Sequence, residues 1–462
     1  MSDHTPASGP GGPTRPDTRK GARAALAEVA DPGTFAELPA PAGELPYDDG
    51  PLRWQGYGAS RARAEERTGE RESVVCGTAE VDGTPAVLIA FEFGYLGGSL
   101  GERTGDRLEA AHRHARAHRL PLVSLIATGG SRMQEGMVAL GQLQRVARQS
   151  TLTAAAGLGQ IAVLRDPTTG GGWATLGAGA DMTVALTGAQ VGFAGSRVRP
   201  ADADPAAYTA EAQYAAGAVD AVLRPDELRA DLALRLKALT RPAAGPVPPP
   251  GALGDAAPAE SGWEAVLRAR APERPRAAAY LDAYFEERAP VRGDRCGGVD
   301  DGMLCGFGLR GGRAVAFAAQ CGTATTPAGY RTAARLVRLA GRLGTPVLTL
   351  VDTPGAANGP EAERAGAGAA IADLFAAVAA APVPVTTLVV GEGGSGGALA
   401  LAAPDNTWAT ADSYFSVIAP ELAAAILKRP AEETRATADQ LRLRPADLLE
   451  LGLVRGVVTE RQ

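Results

Sequence analysis

The sequence predicts an α/β chain built as two copies of one design, and three observations carry that prediction. Apolar, β-branched runs alternate with alanine-rich helical stretches through both halves. Landmarks of the first half recur in the second at a nearly constant spacing: Pro121 and Pro346 are 225 positions apart, as are Thr128 and Thr353, while Gly170 and Gly396 are 226 apart and Asp181 and Asp405 are 224 apart. Each half also contains a strand that ends in glycines and reopens as a helix, in RDPTTGGGWATLG and in VVGEGGSGGALA. Such turns bind negative charge, because glycine lets the backbone approach a ligand and the first helical N–H groups point at it.

The elements follow in order. Residues 1–45 are rich in Pro, Gly and polar residues and bury too little apolar surface to fold, which predicts a disordered tail. The first domain, 46–240, opens with VVCGTAEV and PAVLIAFEF as strands. A helix from Glu102 to Arg119, the strand PLVSLIAT, a helix from Gln134, the strand QIAVL, the glycine turn and the strand DMTVAL come next. Residues 241–262 form a Pro/Ala/Gly-rich linker, expected to be an extended spacer. The second domain, 263–462, repeats the order with RAVAFAAQ, a helix from Ala328, PVLTLV, a long helix, PVTTLVV, the second glycine turn and NTWAT.

Composition removes several classes of function. A formal net charge of −6, with only three lysines among the basic residues, argues against nucleic acid as the main partner. Cys76, Cys296, Cys305 and Cys321 form no CxxC pair, so neither a zinc ribbon nor a disulfide framework is expected, and no metal is predicted. The chain lacks an apolar run of the roughly 18 residues that a membrane span needs, and the first residues lack the apolar core of a signal peptide. A cytoplasmic protein with no membrane association is the expectation.

Short motifs need weighing against their surroundings. Gly391, Gly393 and Gly396 spell GxGxxG, and Gly393, Ser395 and Gly397 spell GxSxG. The first pattern belongs on the opening strand of a dinucleotide fold, whereas this strand comes late in its domain. The second needs a histidine base after the serine, and the last histidine is His118. No lysine closes a phosphate-binding GxxxxGK. His112, His114 and His118 lie among arginines that would repel a cation, so they read as a solvated helix face; Asp181 and Asp405 read as turn or cap residues. What remains are the matched turns, Gly170 and Gly171 in one half and Gly396 and Gly397 in the other, read as two backbone oxyanion holes.

At these residues the chain resembles the carboxyltransferase of biotin-dependent acyl-CoA carboxylases, with the β-type subunit fused ahead of the α-type subunit. FEFGYLGGSLGERTGDRL, PLVSLIATGGSRMQEGM, DPTTGG and VGFAGSRV are similar to the β subunit. YLDAYFEE, PAGYRTAARLVRLA, VDTPGAANG, GEGGSGGALA and YFSVIAPELAAAILKR are similar to the α subunit. The resemblance implies a crotonase-like (ClpP/crotonase) fold in both domains. It implies that carboxybiotin releases carbon dioxide, that the biotin ureido nitrogen takes the α-proton of acetyl-CoA or a short acyl-CoA, and that the enolate attacks carbon dioxide to give malonyl-CoA or a homologue for fatty acid or polyketide synthesis. Gly170 and Gly171 would hold the thioester enolate and Gly396 and Gly397 the ureido oxygen. Gly97, Gly98, Gly129 and Gly130 would shape the substrate side, and Gly394 and Ser395 the biotin side. The facing domains come from different chains in this family, which implies a homodimer or higher homo-oligomer.

The chain departs from the family in two places. The region of the β subunit's four-cysteine ribbon is cysteine-free here, and the basic stretch ahead of the α subunit's PEGY is cut to QCGTATTPAGY. None of the three lysines sits in the Met-Lys-Met context of biotin attachment and no ATP-binding biotin carboxylase region is read, so a biotin carboxyl carrier protein and a biotin carboxylase are expected as separate partners. Two alternatives stand beside the transferase: a biotin-independent malonyl-thioester decarboxylase, and a noncatalytic homologue that binds and regulates a carboxylase.

Overall fold

The computed structural model describes residues 19–41, 48–254 and 257–458. Residues 1–18 and 42–45 of the expected tail, with 46 and 47 of the first domain, lie outside the described residues. The rest of that expectation is corrected. Residues 22–29 form a helix whose Ala22, Ala25, Leu26 and Val29 are buried, and β1 (Ala36–Glu37) pairs with β2 (Val74–Val81). Helical spacing puts these four apolar residues on one side of the helix, which packs on the first sheet beside the strand Val74–Val81 and its neighbour.

The first half is an eight-stranded sheet. Strands β2 and β3 (Thr84–Phe91) form an antiparallel hairpin. Then β4 (Leu122–Thr128), β5 (Gln160–Thr169), β6 (Met182–Leu186) and β8 (Ala221–Leu223) follow in parallel, with β7 (Val191–Gly192) pairing the far end of β5. The second half repeats it. Strands β9 (Glu287–Pro290), β10 (Met303–Arg310) and β11 (Arg313–Gln320) are antiparallel neighbours; β12 (Val347–Thr353), β13 (Val385–Gly394), β14 (Thr407–Thr410) and β16 (Gly456–Val458) continue in parallel, with β15 (Tyr414–Ser416) on the far end of β13. Every residue of β4 and of β12 is buried, as expected of parallel strands covered on both faces.

The duplication holds at the level of single residues. The strands Leu122–Thr128 and Val347–Thr353, the strands Gln160–Thr169 and Val385–Gly394, and the helices Glu102–His118 and Pro327–Leu343 each stand 225 positions apart with equal lengths. Even the irregularities match: β4 slips against β5 between Ile126 and Thr128, and β12 against β13 between Val351 and Thr353.

The linker also differs from expectation. Ala243 N–H bonds to the Ala314 carbonyl, Val247 is buried with its carbonyl accepting from Thr386 Oγ1 at 2.7 Å, and the Pro248 carbonyl accepts from Tyr284 Oη at 2.7 Å. The prolines hold it extended along the second sheet, where backbone acceptors meet side-chain donors.

Between the halves lies the helix Leu228–Thr240, whose buried Leu232, Leu236 and Leu239 belong to one core with residues of both sheets. Polar contacts fix the joint. Asp220, fully buried, accepts from Thr183 N at 2.8 Å in its own half and from Arg292 N at 2.9 Å, Arg295 Nη2 at 2.6 Å and Arg335 Nη2 at 3.4 Å in the other. Burial opposes its charge, but Arg295 and Arg335 outweigh burial and hold the carboxyl below its usual range. Asp181 accepts from Gln160 N at 2.8 Å and pairs with Arg342 of the other half, contacts beyond the local turn or cap expected of it. Asp405 is exposed.

The histidines separate. His114 and His118 stack at the surface with ring centroids 4.1 Å apart, but His112 is fully buried, with Nδ1 2.9 Å from Thr153 Oγ1 and Nε2 without a partner. It packs under the helix Gly136–Ala155, so the solvated-face reading is corrected at this residue. Among the described residues no helix is long and apolar enough to cross a membrane.

Burial, aided by the nearby Arg116 charge, pushes the His112 imidazole down to about 4. An unfolded chain binds this proton near pH 6.5 and the folded one near pH 4. Stability therefore falls as pH drops through that window, by about 3 kcal/mol in total. Thermal unfolding followed from pH 7 to pH 4.5 should show a melting temperature that declines less steeply in His112→Gln than in the unsubstituted chain; equal slopes would contradict the assignment.

Candidate active site

Both glycine turns sit at the C-terminal ends of the central strands, where a parallel sheet exposes its ligand side. In the first half β5 ends at Thr169 and a single helical turn, Gly170–Gly172, begins at once. Gly170 has φ +62°, and a Cβ there would lie 3.0 Å from Gly130 Cα, so only glycine fits. Gly130, itself at φ +105°, donates to Thr128 Oγ1 at 3.0 Å and accepts from Leu100 N at 2.9 Å. Gly129 N–H donates to the Gly97 carbonyl at 2.9 Å, and a Cβ on Gly98 would overlap the Ala127 carbonyl. The structure thus brings Gly97, Gly98, Gly129, Gly130, Gly170 and Gly171 into one cluster of touching backbone.

Below this cluster lies a network that sequence reasoning missed. The Arg132 guanidinium, 1% exposed, is bound to both oxygens of Glu72, to Ser73 Oγ at 3.2 Å and to the Ser99 carbonyl at 2.7 Å. Glu135 accepts from Tyr57 Oη at 2.5 Å and from Glu102 N at 2.6 Å. Burial opposes the Glu72 charge, yet Arg132 outweighs it and holds the carboxyl below its usual range. Arg132 therefore locks the Gly97–Ser99 loop to the turn after β4.

In the second half β13 runs to Gly394 and a short helix, Ser395–Leu399, follows. Ser395 has φ +59°, a left-handed conformation that a serine adopts at a cost. It stands 225 positions after Gly170 and takes the same angle. The pairing of Gly170 with Gly396 read from the sequence is therefore corrected by one residue: Gly170 matches Ser395, Gly171 matches Gly396, and Gly172 matches Gly397. A glycine-to-glycine match misled because a serine holds a glycine's conformation.

The correction changes which N–H groups are available. Gly170 N–H is already donated to the Phe193 carbonyl at 3.0 Å. Gly171 and Gly172, and their counterparts Gly396 and Gly397, head the two helices, where no intrahelical acceptor exists for an N–H. Gly394 has no room for a side chain, since a Cβ would overlap the Pro354 carbonyl. Gly391 packs on Arg274 and Asp352 and Gly393 on Phe415, so the first two GxGxxG glycines serve packing, while Gly396 is open.

Ser395 and Gly396 open onto a cavity of about 690 Å³ with apolar walls that include Leu399, Phe415, Val417, Leu448 and Leu453. Every residue lining it belongs to the second half. Around the first turn Met133, Met137, Phe193 and Val198 are about three-quarters exposed, and beside the second turn Val417, Ile426 and Leu453 are similarly open. Large apolar side chains gathered at one end of each half mark interaction surfaces. Among the described residues no group of three His, Cys, Asp or Glu side chains converges to hold a metal.

Comparison with known proteins agrees with this geometry. Residues 55–222 match the family described as carboxyl transferase domain, and residues 259–462 match acetyl co-enzyme A carboxylase carboxyltransferase-like. The chain is 38% identical to acetyl-coenzyme A carboxylase carboxyl transferase subunits beta/alpha of Saccharopolyspora erythraea, over 96% of this chain and 81% of that protein. It is 33% identical to a probable biotin-dependent acyl-coenzyme A carboxylase beta3 subunit of Mycobacterium bovis, over 94% of this chain and 88% of the relative. The fold superposes on transcarboxylase 12S with a TM-score of 0.78 at 21% identity, covering 95% and 86% of the two chains. Two crotonase-like domains are thereby the fold of this chain.

The turns respond differently to a methyl group. A Cβ on Gly396 meets nothing within 4 Å, whereas one on Gly397 lies 2.5 Å from Ala356 N and 2.6 Å from Tyr330 Oη. Gly396→Ala should keep its stability within about 0.5 kcal/mol, and Gly397→Ala should lose about 1–3 kcal/mol. Chemical denaturation of both variants checks this; equal stabilities would contradict the packing described.

Proposed function

We propose, from the premise that the chain belongs to the acetyl-coenzyme A carboxylase carboxyltransferase family, that it transfers a carboxyl group from carboxybiotin to the α-carbon of acetyl-CoA or another short acyl-CoA. The β-type half precedes the α-type half in one chain. The observation that carries this reading is the pair of turns 225 positions apart, each ending a central strand, each presenting the orphan N–H groups of a new helix, and neither accompanied by a histidine base.

The first turn is the thioester site. Gly171 N–H, with Gly172 beside it, stabilises the oxyanion that develops on the thioester when the α-proton leaves. Gly170 takes the role of shaping the turn, since its own N–H is occupied by Phe193. Gly97, Gly98, Gly129 and Gly130 form the substrate-side wall. The second turn is the biotin site, and the group fits there: the cavity beside Gly396 is large enough for a fused bicycle, its walls are apolar, and Gly396 and Gly397 N–H groups can bond a ureido oxygen. Ser395 lines the same cavity, while Gly394 supports it from the strand. Bound carboxybiotin supplies the carboxyl group; this chain positions the acceptor and excludes water.

Biotin arrives on a carrier protein that a separate biotin carboxylase charges. A homo-oligomer is the working form, as it is for the similar transcarboxylase 12S, described as a hexamer. What supports a second copy at each site is the joint within one chain. Asp181, Asp220 and their arginine partners tie the halves together at the N-terminal ends of β6 and β8, whereas the glycine turns open at the C-terminal ends of β5 and β13. The apolar rims then meet between copies.

Carrier protein carrying labelled carboxybiotin, mixed with the chain and acetyl-, propionyl- or butyryl-CoA, should yield labelled malonyl-CoA or its homologue. Absence of transfer to every acyl-CoA would overturn the reading. Carbon dioxide release from malonyl-CoA without biotin would instead identify the decarboxylase.

A further inference from the structure

Directly behind the second turn lies a buried polar cluster that none of the roles above uses. Gln320, the last residue of β11, is 0% exposed, and its Nε2 donates to the Gly397 carbonyl at 3.2 Å and to Thr325 Oγ1 at 3.1 Å. Tyr330, 1% exposed, donates its hydroxyl to the same Gly397 carbonyl at 3.1 Å. Burial pushes that phenol up to about 12, so it stays a donor throughout the working range of pH.

The helix itself leaves this carbonyl free. Leu401 N–H, which would normally close onto Gly397, bonds to Ala398 instead, and Ala400 N–H bonds to Gly396. Two side chains from another strand and another helix therefore replace the missing backbone donor. They hold Gly397 by its carbonyl end in the interior while Ala356 N and Gly355 press on its α-carbon. The N–H end of the residue is left at the head of the helix, next in the chain to Gly396, which lines the cavity.

The arrangement also has a cost. Gln320 Oε1 is buried without any partner. Turning the carboxamide over would set that oxygen against the Gly397 carbonyl, so the carbonyl dictates the orientation. An unsatisfied buried acceptor is destabilising, and an apolar side chain of similar volume would avoid it. At the position 225 residues before Tyr330 the first half has Gly105, which has no side chain to play this part.

We propose that Gln320 and Tyr330 are positioning residues for the biotin-side oxyanion hole, fixing Gly397 so that its N–H and that of Gly396 are aimed before the ureido group arrives. The inference rests on the carboxyltransferase reading above.

Gln320→Leu and Tyr330→Phe test it, with carboxylated carrier protein and acetyl-CoA as substrates and thermal unfolding alongside. The expected result is a kcat lowered about tenfold in each variant, less than the roughly hundredfold or more that follows outright removal of an oxyanion donor, with the KM for acetyl-CoA within about twofold of the unsubstituted chain. The melting temperature of Gln320→Leu should be unchanged or higher, a result that a purely structural role would not give. Unchanged kcat in both variants would overturn the proposal, as would a kcat loss that tracks a lower melting temperature in Gln320→Leu. An unsubstituted chain that transfers nothing would instead refute the carboxyltransferase reading.

Discussion

Each half depends on a central strand becoming a helix within one residue. That residue must be left-handed, and it is, at φ +62° for Gly170 and +59° for Ser395. A turn this tight puts the helix start at the sheet's end, where its N–H groups find no acceptor, and leaves room for neighbouring loops only if they approach backbone to backbone. The slip of β4 against β5, and of β12 against β13, carries those loops over the turn. Glycines at 98, 394 and 397 are then required by contact with main-chain atoms, and Gly130 by its φ of +105°. One turn thus accounts for the glycines gathered around it in each half, and the same geometry leaves the first N–H groups of the helix without acceptors.

The two copies meet this constraint by different means. At Gly170 a Cβ would run into Gly130, so the left-handed residue must be glycine. Ser395 is exposed beside its cavity and accepts the strain, a penalty on the order of 1 kcal/mol. Support from below differs too. An ionic cluster around Arg132 holds the first turn, where Glu72 and Arg132 compensate each other's burial; hydrogen bonds from neutral side chains hold the second. Duplicated backbone geometry has survived while the side chains that buttress it diverged.

The strands, the long helices and the duplication were legible because parallel strands buried on both faces appear as continuous apolar runs closed by glycine. Elements without that signature were not. β10 reads MLCGFGLR, in which Gly306 and Gly308 exist to let Phe317 and Phe285 pack on the strand; the glycines dilute its apolar pattern. The helix Ala22–Val29 was hidden by the Pro- and Gly-rich residues around it. At the site, the glycine turns could be found and the register could not, because glycine counting cannot see a serine in a glycine's conformation. The buttresses were beyond reach for another reason: Arg132 meets Glu72 across 60 residues and Gln320 meets Gly397 across 77, and only the fold brings them together.

How the halves are joined decides where the two turns can meet. A proline-rich stretch between two domains suggests a tether on which they could swing. Instead that stretch is bonded along the second sheet, and the helix before it is shared by both cores. The charged contacts of the joint add specificity beyond apolar burial. Asp220 is fully buried with arginines of the other half, and removing it would leave Arg295 without its carboxylate in the interior, a loss of about 3–5 kcal/mol. Gly217 and Gly293 add a direct backbone contact that no side chain could enter. A joint of this kind resists hinging, and it lies at the strand ends remote from the turns. Both turns are thereby held rigidly to one frame, each rimmed by exposed apolar side chains, and that rigidity is what the proposed pairing of a first half with the second half of another copy rests on.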